Sequence, residues 1–110
     1  MINPRRLLPT ISMLMAFDAA ARSCSFTIAA KELNLTQGAV SKQINSLESL
    51  LGIKLFVRLH QTVELTDSGK VYAQEILTAL DHIRAASIRV ITSPQGGMLN
   101  VAVLPTFGTR

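Results

Sequence analysis

Residues 36–52, TQGAVSKQINSLESLLG, are the most sharply two-sided stretch of this chain. Thr36 is a good N-cap, because its hydroxyl can accept an orphan backbone N–H of a first helical turn, and Gly52 suits the left-handed residue that ends a helix. At 100° per residue, Val40, Ile44, Leu47, Leu50 and Leu51 share one arc, which predicts a core stripe. The opposite side carries Gly38, Ser41, Lys42, Asn45, Ser46 and Ser49, with Gln37 able to swing to it from the N-terminal end. No acid lies among them. Ordinary solvated faces mix Glu with Lys; a short, polar, acid-free face suits a helix in the major groove, where phosphate repels carboxylates and small hydroxyls and amides reach base edges. A serine-rich solvent face remains the alternative at this point.

Upstream, Asn34-Leu35-Thr36 forms a three-residue turn after a short second helix over about 27–33, with Ile28, Ala29 and Leu33 expected inward. A first helix covers about 10–22. Downstream of Gly52, two β-prone runs over 54–58 and 62–65, separated by Leu59-His60-Gln61, predict a small hairpin. The prolines at 4, 9, 94 and 105 leave 10–93 uninterrupted, so a long fourth helix fits over about 67–91. A hinge over 93–97 and a strand over 98–104 follow. Helix, helix, tight turn, helix and hairpin is the order of a winged helix-turn-helix. The expected architecture is mainly α, with a β-hairpin wing followed by a long linker helix. The chain is expected to divide into a winged helix-turn-helix domain (1–65), a long helix (66–92), and a hinge with the strand that follows it (93–110).

At 110 residues, 48% apolar and 16% charged, the chain has room for one small hydrophobic core and none for a large enzyme. The single cysteine, Cys24, cannot build a disulfide framework, and no spaced Cys/His set offers a zinc site. His60 and His82 fall in different elements, Cys24 has no evident base and no glycine-rich phosphate loop exists, so neither an enzyme nor a cofactor is expected. The formal charge of +4 is uneven. Residues 1–60 hold Arg5, Arg6, Arg22, Lys31, Lys42, Lys54 and Arg58 against Asp18, Glu32 and Glu48, while residues 61–110 are balanced. A basic first half points to an anionic partner, nucleic acid or a membrane surface.

The N-terminus has some features of a secretory signal, but Pro9, Asp18 and the helical spacing of Ile11, Leu14, Phe17 and Ala21 favour a buried first helix. No stretch approaches the roughly 20 apolar residues of a bilayer span. A cytoplasmic location without membrane contact is expected. Ser25 and Thr27 sit at the start of the second helix, where free N–H groups favour an anion, although Ser25 is equally an N-cap. Arg58 lies at the mouth of the hairpin; Lys31 and Lys54 fit phosphate contact or plain solubility.

Ala16-Phe17, Ser25-Phe26-Thr27, Ala29-Ala30, Leu33, Thr36-Gln37, Ala39 through Ile44, Leu47-Glu48, Leu51-Gly52, Leu55-Phe56, Arg58, Leu65-Thr66 and Gly69 together resemble the N-terminal DNA-binding domain of LysR-type transcriptional regulators. The likeness covers about residues 10–90 in order and spacing. It implies a third helix that reads the major groove of a double-stranded operator, with contacts from Gln37, Ser41, Lys42 and Arg58. Thr36, Asn45, Thr27 and Ser25 complete the candidate DNA-binding set. Gly38 stands where the family usually has proline, and Gln61 replaces a basic residue common at the wing tip. The segment 99–107 is similar to the first strand of the family's effector-binding domain. The chain thus looks like a piece of a longer regulator whose small-molecule effector would bind that further domain.

Ala73, Ile76, Leu80, Ile83, Ser87 and Val90 follow a 3-4-3-4-3 spacing, the a/d seam of a coiled coil. A helix packed on its own domain shows the same stripe. A domain of residues 10–65 is nevertheless too small to cover a helix ~37 Å long. Much of the seam is therefore expected to meet a second copy in a homodimer, with Ile76, Leu80 and Ile83 in water in a monomer. The resemblance implies the same pairing, and a tetramer fits the full-length family. The competing class is a winged-helix protein–protein module that has lost DNA binding.

Overall fold

The computed structural model describes residues 7–93; the hinge and strand expected beyond residue 93 lie outside them. Four helices and one hairpin follow in the order α1 (Ile11–Ser23), α2 (Phe26–Leu33), α3 (Gln37–Leu51), β1 (Phe56–Arg58), β2 (Val63–Leu65) and α4 (Asp67–Thr92). The architecture is a winged helix-turn-helix followed by a long helix.

Local chemistry sets each boundary. Thr10, Ser25 and Thr36 are N-caps whose hydroxyls accept from the N–H of Met13, Ile28 and Ala39 at 3.1 Å. α1 and α2 stop at left-handed residues, Cys24 (φ 55°) and Asn34 (φ 57°), and α3 stops at Gly52 (φ 70°). After Asn34 the Leu35 N–H returns to the Ala30 carbonyl at 2.8 Å, which closes the tight turn between α2 and α3.

β1 and β2 pair antiparallel in the register Phe56 with Leu65, Val57 with Glu64 and Arg58 with Val63. The hairpin is tied to the helices at both ends. The Val63 N–H donates to the Cys24 carbonyl at 3.2 Å. Thr66 donates its hydroxyl to the Lys54 carbonyl at 2.8 Å and accepts from the Gly69 N–H at 3.0 Å, starting α4 against the wing. Gly69 is required by closeness: a Cβ there would stand 2.2 Å from the Leu55 carbonyl oxygen.

The chain forms two compact units, one reaching to Leu77 and one from Thr78 onward. In the first, Ala16, Ala19, Ala20, Ala29 and Ala30 let the helices approach closely around Phe17, Val40, Ile44, Leu47 and Leu55. Phe17, Phe26, Phe56 and Tyr72 add an aromatic chain with centroids 5.3–5.6 Å apart. Burial of the Tyr72 phenol raises its pKa. Arg22 spans α1 and α2, donating to Asp18 at 3.2 Å and to both oxygens of Glu32.

Three sequence expectations need correction. Ile28 is 53% exposed, because α2 begins at Phe26 and buries the row Phe26, Ala29, Ala30 and Leu33 instead. Ile11 is also exposed, one turn ahead of the packed part of α1. Leu50 is not core, whereas Glu48 is 5% exposed. The two lie about 80° to either side of Val40, so periodicity cannot rank them. The wing lands on the Glu48 side.

Candidate nucleic-acid interface

The outward side of α3 carries the residues picked out by spacing. Gly38, Ser41, Lys42, Asn45, Ser46 and Ser49 line a shallow open depression bordered by Met13 of α1 and by Leu50. No side chain closes over Gly38: nothing lies within 4 Å of where its Cβ would be. The only acid of α3, Glu48, is turned away into the fold. Its Oε2 accepts the backbone N–H groups of Leu55 at 2.8 Å and Phe56 at 3.1 Å, and its Oε1 lies 3.7 Å from Lys54 Nζ. One buried carboxylate therefore removes negative charge from the outward face and fixes the start of β1 to α3.

That tie brings Arg58, two residues further along β1, onto α3. Its guanidinium donates to Asn45 Oδ1 at 2.6 Å and to Ser41 Oγ at 3.4 Å, and its carbon lies 4.8 Å from the centre of the Phe26 ring. Arg58 has five N–H donors, so three remain available. Across the other end of the face, Thr27 donates to Gln37 Oε1 at 3.2 Å, joining α2 to the start of α3.

Of the candidate set, Arg58, Ser41 and Asn45 form one hydrogen-bonded group on the α3 face and Thr27 with Gln37 a second, with Lys42 exposed on the same helix. Ser25 and Thr36 serve as helix caps. Arg22, Lys54 and Arg84 are paired with carboxylates, whereas Lys42 and Arg58 join Lys31, Lys70 and Arg89 as described cations without an ion pair. Glu48 and Phe26 were missed by sequence reasoning as parts of this site. A lone acid at the edge of a helical core stripe was the signal for the first.

The expected seam of α4 divides. Ala73 and Ile76 pack against the core of the first unit. Leu80 is only 5% exposed in the single chain. The expectation that Ile76 and Leu80 stand in water in a monomer is therefore corrected: Ile76 packs against the core of the first unit, and Leu80 is buried within the single chain. Further along, Ile83 is 48% and Val90 63% exposed, with Ile88 and Ile91 also outward. Ser87 donates its hydroxyl to the Ile83 carbonyl at 2.9 Å. No described helix is long and apolar enough to cross a membrane, and no described cluster of His, Cys, Asp or Glu is arranged to hold a metal.

A family model for the bacterial regulatory helix-turn-helix proteins of the lysR family matches residues 11–70. The chain is 46% identical over 103 residues to a glycine cleavage system transcriptional activator homolog of Haemophilus influenzae, covering 94% of this chain and 34% of that protein. It is 44% identical over 100 residues to the glycine cleavage system transcriptional activator of Escherichia coli K12, covering 91% and 33%. The chain thus spans about a third of the length of these curated relatives. Among solved structures, the DNA complex of the CbnR DNA-binding domain superposes with a TM-score of 0.69 at 29% identity, over 73% of this chain and 92% of that one. DarR of Vibrio fischeri in complex with DNA gives 0.72 at 31% identity, over 82% and 31%. The chain belongs to the lysR family of bacterial regulatory helix-turn-helix proteins, a family of DNA-binding transcription regulators and not of enzymes.

Proposed function

We propose that this chain is the DNA-reading and pairing part of a LysR-type regulator acting in the cytoplasm, with α3 in the major groove of a double-stranded operator and two copies joined through α4. The observation that carries the reading is the acid-free outward face of α3, onto which Arg58 is drawn beside Lys42 while Glu48 is buried. Gln37, Ser41 and Asn45 are short enough to touch base edges; Lys42 and Arg58 supply charge for phosphates. Thr27, Ser25 and Thr36 lie at helix starts that favour phosphate oxygens. The exposed stripe of Ile83 and Val90, widened by Ile88 and Ile91, supports pairing with a second copy beyond the point where α4 serves its own core. A small-molecule effector belongs to a domain beyond this chain.

The test is a salt titration of binding to the DNA upstream of the regulator's own gene. Each phosphate neutralised adds about −0.9 to the slope of log affinity against log salt. A steep slope with sequence preference is expected; affinity that is absent or insensitive to salt would overturn the reading.

A further inference from the structure

We propose that Arg58 and Thr27 leave the amides of Asn45 and Gln37 presenting donors only, and that Asn45 thereby selects guanine over adenine and cytosine at the base pair it meets. The proposal rests on the DNA-binding reading above and adds which base edge the face accepts.

A guanidinium offers donors and no acceptor. The atom of Asn45 that faces Arg58 at 2.6 Å is therefore the carbonyl Oδ1, which turns the Nδ2 amide away from Arg58. Ser41 Oγ, 3.4 Å from the same guanidinium, accepts as well and keeps its own O–H to donate. At the other end Thr27 donates to Gln37 Oε1, which leaves the Gln37 amide N–H groups free. Lys42, beside them, is a donor by nature. The amide oxygens of Asn45 and Gln37 are thus engaged from within and their N–H groups are the unengaged ones, while the hydroxyls of Ser46 and Ser49 further along keep both donor and acceptor character.

This arrangement is built into the fold. Arg58 lies over the ring of Phe26, which is buried, and its strand is fixed at the start by Glu48 through two backbone N–H groups. In the major groove guanine presents two acceptors, N7 and O6, whereas adenine presents an acceptor beside a donor and cytosine a donor alone. An amide reads adenine by using its oxygen and nitrogen together, and the oxygen of Asn45 is committed to Arg58. Guanine is the edge that fits two outward donors.

Selection of bound duplexes from a random-sequence pool, carried out with the whole chain and with Arg58→Met, tests this. For the unmutated chain we expect guanine at one position of each half-site, preferred on the order of tenfold, and a comparable loss when 7-deazaguanine removes the N7 acceptor there. Arg58→Met releases Asn45 Oδ1, so the preference at that position passes to adenine while the other positions keep theirs. Asn45→Asp keeps a partner for Arg58 but loses the outward donor, so it loses the guanine preference at that position alone. An unmutated chain that prefers any base other than guanine there, or a guanine preference untouched in both variants, would overturn the donor-only amides while leaving DNA binding intact. A pool with no enrichment and no salt-dependent binding would overturn the DNA-binding reading and this proposal with it.

Discussion

α3 and the far half of α4 expose opposite chemistry. The outward side of α3 is polar, short and free of acid, and its Gln37 and Asn45 amides and Ser41 hydroxyl are already held by Arg58 and Thr27. From Ile83 to Ile91 the outward side of α4 carries large aliphatic residues, with Arg84 paired to Asp81 at 2.8 Å. Water tolerates the first surface and is a poor solvent for the second, so the two call for different partners. A hydrated polyanion suits preset donors; an aliphatic stripe gains by meeting its like. The same helical geometry underlies both, and only side-chain chemistry separates the polar face of α3 from the aliphatic stripe of α4.

Removing the apolar half of the contrast has the largest expected effect. Ile83→Asp and Val90→Asp each place a charge in the stripe twice per dimer. With about 1.5–3 kcal/mol for each buried aliphatic side chain, the dimer dissociation constant should rise about 10²–10⁴-fold, as read by sedimentation. Leu80→Asp is a poorer test, because Leu80 is buried within the single chain and the substitution would also unsettle the fold. A chain that stays dimeric with Ile83→Asp and Val90→Asp combined would place pairing elsewhere.

Glu48→Ala attacks the other half from behind. It strands the N–H groups of Leu55 and Phe56, and about 2–4 kcal/mol of folding stability should be lost in denaturant titrations. Glu48→Gln keeps one acceptor oxygen and should lose less. Lys42→Ala sharpens the contrast with little structural cost: stability should hold within about 0.5 kcal/mol while the salt slope of DNA binding falls by about one.

The smallest effect belongs to Glu32, whose carboxyl is held below its ordinary pKa by hydrogen bonds from Arg22. Its contribution is complete above the ordinary glutamate value of about 4.3 and fades as pH falls through the lowered one. Glu32→Gln should lower stability slightly at neutrality and flatten the acid limb, so that its difference from the unmutated chain disappears below about pH 4.

Much of this was legible in the chain. Thr36 and Gly52 bracketed α3 correctly, and the acid-free face needed only helical period and residue type. Ile28 and Leu50 were misplaced for a shared reason: near the edge of an apolar arc, burial is decided by which element packs there, and spacing within one helix does not carry that information. The role of Glu48 was hidden because its partners are backbone groups seven and eight residues away across a turn. The split of the α4 seam was hidden too, since a 3-4 repeat looks alike whether its partner is the core of its own domain or a second chain.

The central claim, that the outward face of α3 with Arg58 is the surface that meets DNA, is tested most directly by side-chain and amide NMR shifts as the chain is titrated with a duplex carrying its operator. The account predicts that the largest changes fall on Gln37, Ser41, Lys42, Asn45 and Arg58, with the buried Val40, Ile44 and Leu47 moving little. Changes centred instead on Asp67, Val71 and Glu75 of α4, with α3 unmoved, would contradict it.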